Sequence, residues 1–384
     1  MKIYRCNNIK LSGSVLLSLL VSFPWFFISY GGVLHGADSE LVISFFTIAV
    51  SLFLFFVFVP HSSKVENTGY GNLYGKSTYW FVILCYLVVI VGKFILAYKY
   101  DFQLGKVRAQ YFSAEGVNTV YFGFSYLGAF FSKVIVPLSL VLMIITTKEE
   151  KQQKILLCAF LISNVLVGGR FAIYQFVVIL ILNNIIANKI LNKNILVIML
   201  LLFFSFFLIA NRLGVELLDS IVYLWEQVLN YHVIQIPLIS HYLDFPVALG
   251  PFTGVESLIY NVLGNGSPET MVAEYLRNNE IYLNGAGPFN AFGTSLSFFF
   301  PALGVPFGTV TFLFSVFLHI GLLLIILKKN TLLVIKLYVF ALYFSAFQPY
   351  IFTFQYYMLM LFFLLNFISI DIQKKNFKII FKLN

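Results

Sequence analysis

The sequence predicts an all-α, polytopic membrane fold. Three observations predict it. Of the 384 residues 60% are apolar and only 11% are charged, and mean hydropathy is +0.90. Soluble domains carry about 25% charged residues, so there is too little polar side chain here to coat a water-soluble globule. Apolar runs of spanning length recur along the chain, and crossing a bilayer as a helix takes about twenty such residues. Between them lies one long hydrophilic stretch, 211–288.

Candidate spans fall at 11–31, 40–59, 78–98, 121–146, 154–169, 170–187, 194–210, 303–327, 331–348 and 350–370, about ten transmembrane helices in a single transmembrane domain, 1–384. The first follows Lys2, Arg5 and Lys10 as a secretion signal would. It is about twenty residues long, however, and has no small-residue cleavage site, so it reads as a retained anchor helix. The fifth and sixth form a hairpin turning at Gly168-Gly169-Arg170. Residues 286–301 are apolar but interrupted by Gly287, Pro288 and Pro301, the pattern of a re-entrant or broken helix. The three cysteines, Cys6, Cys85 and Cys158, have neither metal nor redox spacing and read as structural, with no disulfide expected.

Orientation follows from the distribution of Lys and Arg, which favours the cytoplasmic side. With the N-terminus inside, the loops assigned to the cytoplasm hold 16 of the 25 basic residues, the outer loops hold 6, and Lys93, Lys133 and Lys336 fall within spans. Both termini are therefore expected in the cytoplasm and 211–288 outside. Within spans, Lys93 and Lys133 are expected to snorkel outward and Lys336 inward. The formal charge of +9 does not point to nucleic acid, because the basic residues flank apolar segments in short runs.

The outer loop 211–288, inserted between spans seven and eight, carries eight acids against two arginines. Leu213, Leu217, Ile221, Leu224, Trp225 and Val228 recur at helical spacing opposite Glu216, Asp219, Glu226 and Asn230, which predicts an amphipathic surface helix over 212–230. Ser267-Pro268-Glu269 signals a second helix start. Residues 243–266, rich in Gly, Pro and aromatics, read as ordered loop.

Against the positive-inside bias, four of the five arginines, Arg108, Arg170, Arg212 and Arg277, fall on the outer side. Guanidinium clamps phosphate oxygens bidentately and stays charged at any pH, so four there point to an anion site. The plainer reading is an interfacial anchor, or a partner for a loop acid. Arg170 is the sharpest case, because the hairpin tip holds it at the membrane surface and the preceding glycines allow a ligand to approach closely. Arg212 opens the loop helix, Arg277 lies in Tyr275-Leu276-Arg277-Asn278, and Arg108 follows Lys106 in an aromatic-flanked loop. His232 and His241 are candidate general bases for a hydroxyl nucleophile; a solvated surface histidine is the plainer reading of each. Glu216 and Asp219 are candidate sugar-binding carboxylates, or a solvated acidic face. Phosphate-binding loop, zinc-protease and serine-nucleophile motifs are absent, and no ligand set for a catalytic metal stands out. Acids are essentially absent from the spans, which argues against a pump built on buried carboxylates.

The hairpin Val167-Gly168-Gly169-Arg170-Phe171, the loop opening at Asn211-Arg212, the Gly285-Ala286-Gly287-Pro288 re-entry and the Phe-rich spans resemble the O-antigen polymerases of Wzy type, within the oligosaccharide repeat-unit polymerases. The resemblance covers most of the chain as a topological pattern. It implies a multi-pass protein of the bacterial inner membrane. Such a protein joins undecaprenyl-pyrophosphate-linked oligosaccharide units at the periplasmic face. It implies no cofactor, a chain-length regulator protein as partner, and roles for periplasmic arginines, which point to Arg170, Arg212 and Arg277. The chain departs from the family where an Arg is followed eleven positions later by Gly: after Arg170, Arg212 and Arg277 those positions hold Ile181, Tyr223 and Pro288.

The expected activity is therefore a metal-independent glycosyl transfer. Arg170 and Arg212 would stabilise the leaving pyrophosphate, and His232, His241 or a loop acid would take the acceptor proton. Arg108, Arg277, Lys106, Glu216 and Asp219 would bind substrate. The rivals are an O-antigen ligase, which shares the loop and the donor, and a flippase for the same lipid-linked sugar.

Overall fold

A computed structural model describes residues 11–34, 36–59, 74–145, 151–169, 171–186, isolated positions between 200 and 259, 281–283, 286–289, 295–327, 330–346, 350–373 and 378–383. The apolar body is helical. The helices are α1 (Leu11–Leu34), α2 (Ser39–Phe58), α3 (Lys76–Lys99), α4 (Leu104–Tyr111), α5 (Ala114–Val120), α6 (Ser125–Phe130), α7 (Val136–Ile145), α8 (Lys151–Val165) and α9 (Phe171–Ile186), followed by α10 (Phe300–Ile326), α11 (Thr331–Ser345) and α12 (Phe354–Leu365). A π turn over Phe131–Ile135 joins α6 to α7. Among the described residues five helical segments are long and apolar enough to cross a membrane: Gly13–Leu34, Ser39–Phe58, Lys76–Lys99, Tyr126–Ile145 and Phe300–Ile326. Four more apolar helices are shorter. They match the expected spans five, six, nine and ten, shortened at their ends. The expected seventh span, 194–210, lies largely outside the described residues.

Local chemistry sets the helix ends. Asp38 caps α2, its Oδ1 accepting from the Glu40 amide at 2.9 Å, and Ser113 caps α5, its Oγ accepting from the Gly116 amide at 3.0 Å. Each satisfies a backbone donor that the first turn leaves open.

Two short antiparallel hairpins depart from the all-α expectation. β1 (Ile281–Leu283) pairs with β2 (Ala286–Phe289), so 286–289 is strand rather than the start of a broken helix. β3 (Ile368–Gln373) pairs with β4 (Lys378–Leu383), which ends the helix expected over 350–370 at Leu365. Alternating Ile and polar residues in 368–373 fit a strand, a pattern that the long apolar run preceding it masks.

The chain divides into two compact units, Met1–Glu66 with Glu226–Tyr357, and Asn67–Trp225 with Met358–Asn384. In the first, α1 and α2 form a hairpin against α10 and α11. Trp25 is fully buried at its centre. Its indole Nε1 donates to the Leu342 carbonyl at 3.2 Å, and its ring meets Phe45 at 5.8 Å and Phe312 at 5.6 Å. Ser44 and Thr309 bond across α2 and α10.

The first unit also holds a break near the start of α10 and a packed connection between α11 and α12. Gly304 takes φ 71° and ψ 172° and breaks α10 near its start. The chain before it folds back along the helix, so that Phe299 packs on Phe312 at 5.5 Å; thirteen residues of straight helix would separate them by about 20 Å. Within the stretch expected to be re-entrant or broken, 286–301, the structure describes a strand over 286–289 and a reversal of the chain between Phe299 and α10. Residues 350–353 form the connection between α11 and α12. Phe352, at φ 66°, touches Phe299, Phe312 and His319. The amide of Tyr350 donates to Ser295 Oγ at 3.1 Å, and that of Ile351 to Ser345 Oγ at 3.1 Å. Buried serines thus supply acceptors that a continuous helix would have supplied from its own backbone.

In the second unit α3 is the hub, packed by α4, α5, α7 and α8. Tyr86 is fully buried; its hydroxyl shares a hydrogen bond with Ser139 Oγ at 3.0 Å, and its ring meets Phe131 at 4.9 Å and Phe160 at 6.1 Å.

Candidate functional site

Of the nine residues singled out in the sequence, four are described: Lys106, Arg108, Glu216 and Asp219. Arg170, Arg212, Arg277, His232 and His241 lie outside the described residues. Glu216 and Asp219 are exposed, as are Ile221 and Val222 of the amphipathic stretch. Lys106 is exposed on α4. Arg108, two residues further along the same helix, is half-buried and sits in a site.

That site belongs to the second unit and is built from α3, α4 and the α8–α9 turn. Gly168 takes φ 64°, which lets the chain reverse after α8. The Gly168 and Gly169 amides donate to the Val165 and Asn164 carbonyls, each at 2.8 Å. A Cβ built on Gly169 would lie 3.0 Å from the Asn164 carbonyl oxygen and 3.6 Å from an Arg108 guanidinium nitrogen. Glycine here relieves a tight approach to the Asn164 carbonyl, and the Arg108 head lies in van der Waals reach of the same turn. The guanidinium carbon is 4.6 Å from the centre of the Phe112 ring, a cation–π contact that holds the long side chain in place.

A second cation comes from α3. Lys93 is 3% exposed, so the outward snorkel expected for it does not occur. Its Nζ donates to the Ser163 carbonyl at 2.7 Å and lies 5.0 Å from the centre of the Tyr111 ring. On the preceding residue, a Cβ on Gly92 would fall 2.0 Å from the Val120 carbonyl oxygen, so the end of α5 rests directly on the α3 backbone. The charge that acts on Lys93 is that of Arg108, a like charge. The Lys99–Glu115 ion pair tethers α3 to α5 nearby. Burial, reinforced by Tyr111, holds the Tyr121 phenol above its usual value, so this neighbour is a neutral hydrogen-bonding group and adds no negative charge.

Lysine at position 336 is also 2% exposed, so the inward snorkel expected for it does not occur either. It belongs to the first unit, where His319, Tyr356 and Tyr338 form a polar chain. The Tyr356 hydroxyl donates to Tyr338 Oη at 3.1 Å and lies 3.5 Å from His319 Nδ1. Sequence reasoning missed this chain and Lys93. Each is a lone polar residue in an apolar run, and only packing brings its partners in from positions far along the sequence.

Among the described residues no group of three metal-ligating side chains occurs, and Cys85 and Cys158 are free thiols. No protein-family model, no curated protein and no solved structure matches the chain.

Proposed function

We propose that the chain is a glycosyltransferase of the bacterial inner membrane, joining undecaprenyl-pyrophosphate-linked oligosaccharide units into a polysaccharide at the periplasmic face. The observation that carries this reading is the half-buried Arg108 guanidinium beside the Gly168-Gly169 turn that follows α8. In the sequence Arg170 follows those glycines directly. Guanidinium groups in a water-poor setting stabilise the charge that develops on a departing pyrophosphate. The sugar C–O bond to that pyrophosphate breaks as the acceptor hydroxyl oxygen attacks the same carbon. A base, His232, His241 or a loop acid, takes the hydroxyl proton. Arg212 and Arg277 would add further cations, and Lys106, Glu216 and Asp219 would bind the sugar portion.

The test is a polysaccharide ladder from the native host carrying Arg170→Ala, Arg170→Lys, Arg108→Ala or Arg108→Lys at normal protein levels. The expected result is loss of long chains for both Ala variants and only partial recovery for the Lys variants, because an ammonium cannot reproduce the bidentate fork. Unchanged ladders in all four would remove the arginines from the reaction. A deletion strain separates polymerase from ligase: core plus a single repeat marks the former and bare core the latter.

A second reading is favoured by a separate observation. The 295–299 segment before the Gly304 break and the 350–353 connection meet around Phe312, and broken helices inside a membrane protein commonly mark a transport path. On that reading the chain moves the lipid-linked sugar across the bilayer, and deletion would strand it on the cytoplasmic leaflet.

A further inference from the structure

The β3–β4 hairpin has one wholly apolar face, and its place in the chain points to what covers that face. In an antiparallel pair, residues directly opposite each other share a face, and successive residues of a strand alternate between faces. The register pairs Ile368 with Leu383, Ile370 with Phe381 and Ile372 with Ile379, which places six large apolar residues on one face. The other face takes Ser369 with Lys382, Asp371 with Ile380 and Gln373 with Lys378. A two-stranded hairpin is marginal in water by itself and holds together when such a face is covered.

Three observations favour the surface of the bilayer as the cover. The first is tether length. The apolar helix α12 ends at Leu365 and β3 begins at Ile368, so about 10 Å of extended chain at most holds the hairpin to the helix end. The second is charge. Residues 368–383 hold four lysines against one acid, and the register sets Lys378 and Lys382 on the face opposite the apolar one. An apolar face backed by lysines is the pattern of elements that lie in the plane of an anionic leaflet. The third is depth. Each strand of a two-stranded sheet keeps one row of N–H and C=O groups outside the ladder. Hydrocarbon cannot satisfy them, whereas headgroups and their water can. A hairpin of this kind sinks its apolar face to the headgroup boundary and goes no deeper. Lysines on its other face then stay within a Debye length, about 8–10 Å, of the lipid phosphates.

We propose that the β3–β4 hairpin is a membrane-surface element, with the Ile370–Phe381 face seated at headgroup depth and Lys378 and Lys382 attracted to anionic lipid. It stands independently of the glycosyl-transfer reading, because it concerns how the end of α12 is held at the bilayer and not which reaction the chain performs.

The experiment attaches a fluorophore to single cysteines in the full-length chain, with Cys6, Cys85 and Cys158 replaced by alanine. Ile370→Cys and Phe381→Cys report on the apolar face and Gln373→Cys on the polar one. The proteins sit in nanodiscs of phosphatidylcholine alone or with an equal part of phosphatidylglycerol. Brominated lipid quenches labels in the bilayer, and acrylamide quenches labels in water. The labels at 370 and 381 are expected to be quenched by brominated lipid and shielded from acrylamide, and the label at 373 the reverse. Phosphatidylglycerol is expected to strengthen the lipid quenching at 370 and 381, and added salt to reverse that gain by screening. Lys378→Gln with Lys382→Gln is expected to abolish the gain, about fivefold in the seated-to-free ratio for each lysine. Lys378→Arg with Lys382→Arg is expected to keep it. Should the glutamine pair fail to fold, the salt series on the native lysines still decides the electrostatic part. Shielding of 370 and 381 from both quenchers would overturn the proposal by showing a protein cover, either another segment of this chain or a second copy. Acrylamide quenching at all three positions would overturn it by showing a hairpin in water. Equal lipid quenching with and without phosphatidylglycerol would overturn the role given to Lys378 and Lys382.

Discussion

Glycine and tryptophan at single positions show how little sequence is needed to fix the two units internally. Gly168 occupies the left-handed region at φ 64°, where a Cβ costs about 1–2 kcal/mol. Gly168→Ala is therefore expected to lower the unfolding midpoint in detergent and, by loosening the turn beside Arg108, to shorten the polysaccharide ladder. A drop in stability with normal ladders would separate the turn from the site. Trp25 tests the other unit. Trp25→Phe keeps most of the aromatic volume and loses the bond to the Leu342 carbonyl, at an expected cost of about 1 kcal/mol. Trp25→Ala opens a cavity among Phe45 and Phe312 and is expected to cost about 3–5 kcal/mol. Equal destabilisation by both variants would show that the hydrogen bond, not packing, dominates. The Gly168-Gly169 turn was legible because two adjacent glycines between apolar runs have few other uses. The burial of Lys93 was not, since a lysine in a span reads the same whether it reaches the interface or is roofed over.

At the level of helices, the α4–α5 pair decides that difference. The sequence between α3 and α6 has the composition of a surface loop, with Asp101, Lys106, Glu115 and several small polar residues. In the structure it folds into two short helices, and α5 packs so closely on α3 that a Cβ on Gly92 would sit 2.0 Å from the Val120 carbonyl oxygen. Because that neighbour is backbone, it cannot rotate away. Gly92→Ala is expected to separate α5 from α3, cost about 1–3 kcal/mol as overpacking does, and make a cysteine placed at Lys93 reactive to a water-soluble maleimide. If that cysteine stays protected in the Gly92→Ala background, α5 is not what buries the position. The Gly and Pro content of 286–301 pointed to an interrupted helix, and the interruption that the structure describes lies just beyond it, at Gly304. Gly304, which makes the reversal, looks in sequence like one more small residue of a span.

At the level of the whole chain, side assignment is the expectation that the charge count supports and that a labelling experiment can check. With the native cysteines replaced by alanine, Asp219→Cys is expected to react with a membrane-impermeant maleimide in intact spheroplasts, and Lys151→Cys only after permeabilisation. The opposite pattern would invert the orientation and place the large loop in the cytoplasm. Membrane character, the main helical segments and the α8–α9 hairpin were readable from composition and spacing, because lipid demands long apolar runs with internally satisfied backbones and a tight reversal demands glycine. Burial of Lys93 and Lys336, the meeting of Arg108 with the glycine turn, and the contact of Phe299 and Phe352 around Phe312 were settled only by packing. Each depends on side chains tens to hundreds of positions apart in an apolar sequence, where one Phe or Leu resembles another and periodicity does not say which face meets which neighbour.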